Sequence, residues 1–133
     1  MSNIILCIDD EPIRYAKLAK HLASDTNDSL APEITVVVTH KLQDVHFYLN
    51  LPDVYRIVGV CLDCDMPNSE QGFYYASHIL NERSIPVVIA SHNPGEATKC
   101  HEALNEYATP NMILPASDDD DWVRFVVDFF ESN

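Results

Sequence analysis

Five short apolar runs recur along the chain, and each is followed by a stretch whose apolar residues fall three or four positions apart. The runs are Ile4–Ile8, Ile34–Thr39, Ile57–Leu62, Pro86–Ala90 and Asn111–Leu114. A run of this length bounded by polar residues fits a strand covered on both faces, where no alternation is required. The stretches between and after them carry Ile13, Ala16, Ala19 and Leu22, then Leu42, Val45 and Leu49, then Phe73, Ala76 and Leu80. Two more carry Ala97, Cys100 and Leu104, and Val123, Val126, Val127 and Phe130. These spacings predict helices. Strict alternation of strand and helix predicts a parallel sheet with right-handed crossovers and helices on both faces, a three-layer, doubly wound α/β fold. Five units are too few for an eight-stranded closed barrel. The whole length, 1–133, is expected to form one domain. The polar segments Ser24–Pro32 and Pro67–Gly72 are expected to be loops.

Three of the apolar runs end in chemistry-bearing residues: Asp9-Asp10, Asp63-Cys64-Asp65 and Ser91-His92-Asn93. In an open parallel sheet, ligands bind beyond the carboxyl ends of the strands, so these three ends are expected to share one edge. Four carboxylates gathered there repel one another unless protons or a cation offset the charge. Asp9, Asp10, Asp63 and Asp65 are therefore candidate ligands for Mg2+ or Mn2+, which prefer hard oxygen donors. His92 has the titration range of a general acid or base. Arg14 can take a phosphate in bidentate fashion, with Ser91 and Asn93 orienting it by hydrogen bonds. Asn93-Pro94-Gly95 also opens the fourth helix, whose amides favour an anion. Plainer roles compete: Arg14 paired only with Glu11, and Ser91 and Asn93 serving only as helix caps. The remaining histidines are scattered without the spacing of metal ligands.

Composition narrows the field of functions. The chain has 47% hydrophobic residues, against disorder, and no run approaching the roughly 20 apolar residues of a membrane span. The N-terminal residues show no basic segment or cleavage-like stretch, so the expectation is a cytoplasmic protein that does not engage a membrane. Acidic side chains outnumber basic ones 21 to 8, for a formal charge of -13. Such a chain repels the nucleic-acid backbone at long range, which excludes general nucleic-acid binding. A phosphate-bearing ligand needs a bridging cation or a local basic group. Part of the charge, the Asp118–Asp121 run, fits a helix N-terminus. Cys7, Cys61, Cys64 and Cys100 are expected to be free thiols, in keeping with a reducing compartment. Cys61 and Cys64 form a C-x-x-C, but residues three apart on a strand point to opposite faces and cannot easily close on each other. A dinucleotide-type glycine loop is absent, with three glycines in all.

The acidic residues resemble the pocket of response-regulator receiver domains. The resemblance rests on Asp9-Asp10-Glu11, on Asp63-x-Asp65-Met66-Pro67 and on Gly72 near the next helix. It implies a flavodoxin-like sheet of strand order 2-1-3-4-5, Mg2+ held by the acidic pair, and Asp63 as the acceptor of a phosphoryl group, with Ser91 as the small hydroxyl residue after the fourth strand. Receiver domains end the fifth strand with a lysine before a proline; here the pair is Leu114-Pro115. The chain also resembles the cyclic-phosphate-processing receiver family. That likeness adds Arg14 beside Asp9-Asp10-Glu11, and Ser91-His92-Asn93-Pro94, although the family often has histidine where this chain has Cys64. It implies action on phosphoesters.

Three functions are therefore expected to compete. The first is a metal-dependent phosphoesterase acting on a nucleotide or nucleic-acid phosphate, including a cyclic one, carried by a small molecule or a nucleic-acid end, with Asp63, His92 and Ser91 catalytic and Arg14 and Asn93 on the phosphate. The second is a phosphoacceptor receiver with Asp63 phosphorylated. The third is a non-enzymatic acidic module, phage or host in origin, that engages a basic protein partner, for which an exposed Trp122 would speak and a buried one would not.

Overall fold

The computed structural model describes residues 2–9, 11–24, 34–51, 55–63, 75–80, 83–91, 93–106, 109–114 and 121–133. Its strands are β1 (Ser2–Ile8), β2 (Ile34–Thr39), β3 (Tyr55–Leu62), β4 (Val87–Ile89) and β5 (Asn111–Ile113). The helices are α1 (Ala16–Ser24), α2 (Leu42–Leu49), a π-helical turn here numbered α3 (Tyr75–Ile79), α4 (Pro94–Glu106) and α5 (Asp121–Ser132). A 3₁₀ turn, Pro12–Tyr15, leads into α1. All four strand pairings are parallel. The sheet order is β2-β1-β3-β4-β5, as expected.

Strand β1 explains why the runs do not alternate. Ile5, Leu6, Cys7 and Ile8 are all fully buried, because helices cover both faces. Leu6 and Ile8 join one core with Val45, Leu80, Ala97, Cys100 and Leu104 from α2, α4 and the segment after α3. Ile5 and Cys7 join the other with Leu18, Leu22, Val123, Val126 and Phe130 from α1 and α5. The even and odd residues of one strand thus feed two cores, as side-chain period two requires. The β1–β3 register slips between Ile4, opposite Ile57, and Ile5, opposite Gly59. Beyond the slip, Gly59 is packed under the ring of Phe130.

Most expected helix faces are the buried ones: Val45 and Leu49 on α2, Ala97, Cys100 and Leu104 on α4, and Val123, Val126, Val127 and Phe130 on α5. The first helix is different. Ile13 is 85% exposed, and Ala16 and Ala19 also face solvent. Of the expected face only Leu22 is buried, where it continues a stripe of Tyr15 and Leu18. Two apolar stripes at helical spacing coexist in this segment, and the larger side chains take the core because they bury more apolar surface. The segments Ser24–Pro32 and Pro67–Gly72 fall almost wholly outside the described residues, as do Phe73 and Asp118–Asp120.

The cysteines depart from expectation. Cys7 and Cys61 are free and buried, opposite one another in the β1–β3 register. Cys100, buried on α4, is disulfide-bonded, so the expectation of free thiols fails at that position. Burial alone does not keep a thiol reduced; pairing follows from which sulfur lies within reach. Among the described residues no helix is long and apolar enough to cross a membrane.

Candidate functional site

The carboxyl ends of β1, β3 and β4 do come together. Pairing continues one residue past the strands: the Asp9 amide donates to Thr39 O at 3.0 Å, the Asp63 amide to Ile8 O at 2.9 Å, and the Ala90 amide to Leu62 O at 2.8 Å. Asp9, Asp63 and Ala90 therefore stand side by side at one edge of the sheet, each held by its neighbour's backbone. Both carboxylates are withdrawn from bulk water, Asp9 with 1% and Asp63 with 4% of its surface exposed.

A buried carboxylate is tolerable only when paired and hydrogen-bonded, and Asp9 meets that demand. Its Oδ1 accepts the Glu11 amide at 2.9 Å, closing a local turn. Its Oδ2 accepts Arg14 Nη1 at 2.9 Å and the Tyr15 hydroxyl at 2.7 Å. The 3₁₀ turn puts Arg14 and Tyr15 in reach: Pro12 near its start suits a turn that begins just after a strand. The same Nη1 donates to Ala90 O at 3.0 Å, and Nη2 donates to Glu11 Oε2 at 3.2 Å. The expected Arg14–Glu11 pair is thus real, but it is only the outer part of a network whose centre is Asp9.

The surrounding charges tune these groups. Burial by itself would lower the Arg14 pKa, but Asp9, then Tyr15, Asp63 and Glu11 outweigh it and raise it, so the guanidinium is a permanent cation here. Burial pushes the Tyr15 hydroxyl well up, and Cys61, Cys7 and Asp9 push it further, so it remains a donor. Burial also raises the Cys7 thiol, with its hydrogen bond to Cys61 adding to the effect.

At the end of β4, Ser91 Oγ accepts the Asn93 amide at 3.2 Å. Asn93 Oδ1 accepts the amides of Gly95 at 3.0 Å and Glu96 at 3.2 Å, which makes it the N-cap of α4. The capping alternative is therefore realised at Asn93, and its side-chain oxygen is committed to the helix. Leu114, at the end of β5, donates its amide to Ile89 O at 2.9 Å and packs its side chain into the core beneath α1 and α5. No cation can come from that position. Asp10, Asp65, Cys64 and His92 lie outside the described residues.

The described residues contain no cluster of three or more groups able to hold a metal ion. What they offer is two aspartates. Oδ1 of Asp9 takes one donor and keeps a lone pair, and Asp63 stands one strand away. Two carboxylates suffice for a cation such as Mg2+, which keeps several waters and takes the rest of its shell from a phosphate. The donor set fits a divalent cation held by Asp9 and Asp63.

Tyr15 was not among the candidates. A signal was present: it begins the 15, 18, 22 stripe that runs from the 3₁₀ turn into α1, which placed it on the core side and near Asp9. Trp122 is partly buried, edge-on to Tyr15 with ring centroids 6.3 Å apart. That is a packing role under the site and does not favour Trp122 as a docking residue.

No family model and no curated protein matches the chain. Solved structures do. The phosphorylated cyanobacterial phytochrome response regulator RcpA superposes with a TM-score of 0.66 at 16% identity, covering 98% of this chain and 93% of that one. The Mn2+-bound response regulator Rcp1 gives 0.59 at 18% identity over 94% and 89%, and the bacteriophytochrome response regulator AtBRR gives 0.54 at 18% over 98% and 93%. The fold is receiver-like, of the flavodoxin type.

Proposed function

We propose that the chain is a receiver module that accepts a phosphoryl group on Asp63. The observation that carries this reading is the buried Asp63 at the end of β3, beside an Asp9 already neutralised by Arg14, in a sheet of receiver order. The likeness to a phosphorylated response regulator and to a Mn2+-bound one supports it. With an acyl phosphate as donor, an Asp63 carboxylate oxygen forms a bond to phosphorus as the bond to the carboxylate leaving group breaks; no net proton moves. A divalent cation on Asp9 and Asp63, with Asp10 and Asp65 as further ligands, would offset charge on the transferred oxygens. Arg14 and Tyr15 hold Asp9 in place for that task.

Incubation with acetyl phosphate and Mg2+, followed by intact-mass measurement, tests the reading. One added phosphoryl group is expected on the wild type and none on Asp63→Asn. An unlabelled wild type, or equal labelling of the variant, rules it out.

Leu114 favours a second reading. A pocket without a cation at the end of β5 suits transient handling of a phosphoester, including a cyclic one as in cyclic-phosphate-processing receivers, in which water adds across a P–O bond. His92 and Ser91 would then assist Asp63. Hydrolysis within a panel of cyclic and linear nucleotides with Mg2+ or Mn2+, lost in Asp63→Asn, is its expected result; no turnover of any member removes it.

A further inference from the structure

We propose that Arg14 is the residue that takes the phosphoryl charge on Asp63, supplying from the turn after β1 the cation that Leu114 denies to the end of β5. This rests on Asp63 being the acceptor. Strand β3 lies between β1 and β4. Nη1 of Arg14 bonds Asp9 Oδ2, past the end of β1, and Ala90 O, past the end of β4. Neighbouring strands are about 4.8 Å apart, so β1 and β4 are separated by roughly twice that. A single nitrogen that reaches both must sit over the end of β3, where Asp63 stands. The field of Asp63 on the guanidinium is consistent with that placement.

Leucine at position 114 cannot compete for the role, because it carries no charge. Its side chain is packed into the core with Trp122 and Val123, and its amide is spent on Ile89 O. Arg14, by contrast, has only 18% of its side chain exposed and is already pinned over the pocket, so little ordering entropy remains to be lost.

Among its described partners, Ala90 O is the one neutral acceptor. A phosphoryl group on Asp63 presents charged oxygens, and charge-assisted hydrogen bonds are roughly twice as strong as those to neutral acceptors. The guanidinium therefore exchanges Ala90 O for a phosphoryl oxygen while keeping Asp9. The exchange frees the carbonyl immediately before Ser91 and the Asn93 cap of α4, so the end of β4 and the start of α4 are the segments that register the event.

Two measurements test this. In the first, acetyl phosphate labelling with Mg2+ is followed by intact mass for wild type, Arg14→Gln, Leu114→Lys and the double variant. Arg14→Gln keeps a donor for Asp9 while losing the charge. Labelling of Arg14→Gln is expected to slow by roughly ten- to a hundredfold, the worth of one charge-assisted bond, and Leu114→Lys in that background is expected to recover part of the rate. Labelling of Arg14→Gln at the wild-type rate overturns the role of Arg14 and leaves Asp63 as acceptor. A wild type that takes no label overturns the acceptor reading and this one with it.

The second measurement uses the wild type alone and stands if Arg14→Gln does not fold. With beryllofluoride and Mg2+ as the phosphoryl mimic, the Arg14 side-chain NH resonances and the amides of Ser91 and Asn93 are expected to shift in 15N-resolved spectra. Shifts at Asp63 without any at Arg14 overturn the proposal.

Discussion

Replacing Gly59 by alanine is expected to be the most damaging single-methyl change in the sheet. A Cβ at Gly59 would run into Cε1 of Phe130 and lie 2.5 Å from its Cδ1 and 2.6 Å from its Cγ, whereas carbon atoms in contact prefer about 3.5–4.0 Å. The ring must retreat by roughly 1 Å or more. Because Cγ is among the clashing atoms, rotation about the ring axis brings no relief; the ring must change its χ1 or α5 must lift. Neither is easy, for Phe130 is 3% exposed and α5 is anchored by Val123, Val126 and Val127.

Overpacking of this kind costs about 1–3 kcal/mol, and outright loss of a buried Phe costs about 3–5 kcal/mol. Alanine's smaller entropy loss on folding returns about 0.5–1 kcal/mol. A displaced buried ring puts the cost where the two ranges meet, about 3 kcal/mol, and the entropy return leaves a net loss of about 2–2.5 kcal/mol, or close to 10 °C in Tm at this chain length. Urea unfolding of wild type, Gly59→Ala, Phe130→Ala and the double variant measures it. In the double variant the new methyl enters space the ring has left, so the two losses should fall short of additivity by about 1 kcal/mol or more. A Gly59→Ala stability within about 0.5 kcal/mol of wild type, or strict additivity, refutes the argument.

Two further expectations follow from the site and the core beneath it. Tyr15→Phe removes the 2.7 Å bond to buried Asp9 but keeps the ring against Trp122, so it should lower stability by about 1.5–3 kcal/mol in urea unfolding; an unchanged midpoint would show that the hydroxyl does not support the carboxylate. Stability should also decline at high pH. Cys7 and Tyr15 have ordinary values of 9.0 and 10.0, and both are raised in the folded state. The unfolded chain therefore sheds these protons first, and stability is full below about pH 9 and lost as pH rises toward the folded values. Cys7→Ala should reduce the slope of that decline by one proton, about 1.4 kcal/mol per pH unit; the same slope in both proteins would place the effect elsewhere.

The sheet was legible in the chain because burial on both faces leaves an unmistakable trace: runs such as Ile4–Ile8 and Ile57–Leu62 have no polar residue to spend on solvent, and alternation with helices leaves few topologies. Val123, Val126, Val127 and Phe130 were readable on α5 as a four-residue apolar face, although Trp122, Phe125 and Phe129 form a second stripe beside it, of which Phe125 stays 41% exposed. On α1 two stripes compete, and periodicity cannot choose between Ile13-Ala16-Ala19 and Tyr15-Leu18-Leu22; the depth of the core under the helix does. The same limit governs the site. That Asp9 and Asp63 share an edge is written in the strand ends, because a parallel sheet aligns them. That Arg14 crosses the end of β3 to reach Ala90 O, that Tyr15 supports Asp9, and that Asn93 is occupied as a helix cap are matters of distance between residues up to 76 positions apart. Only the folded chain sets those distances, because a hydrogen bond depends on where two atoms lie in space and not on their separation in sequence.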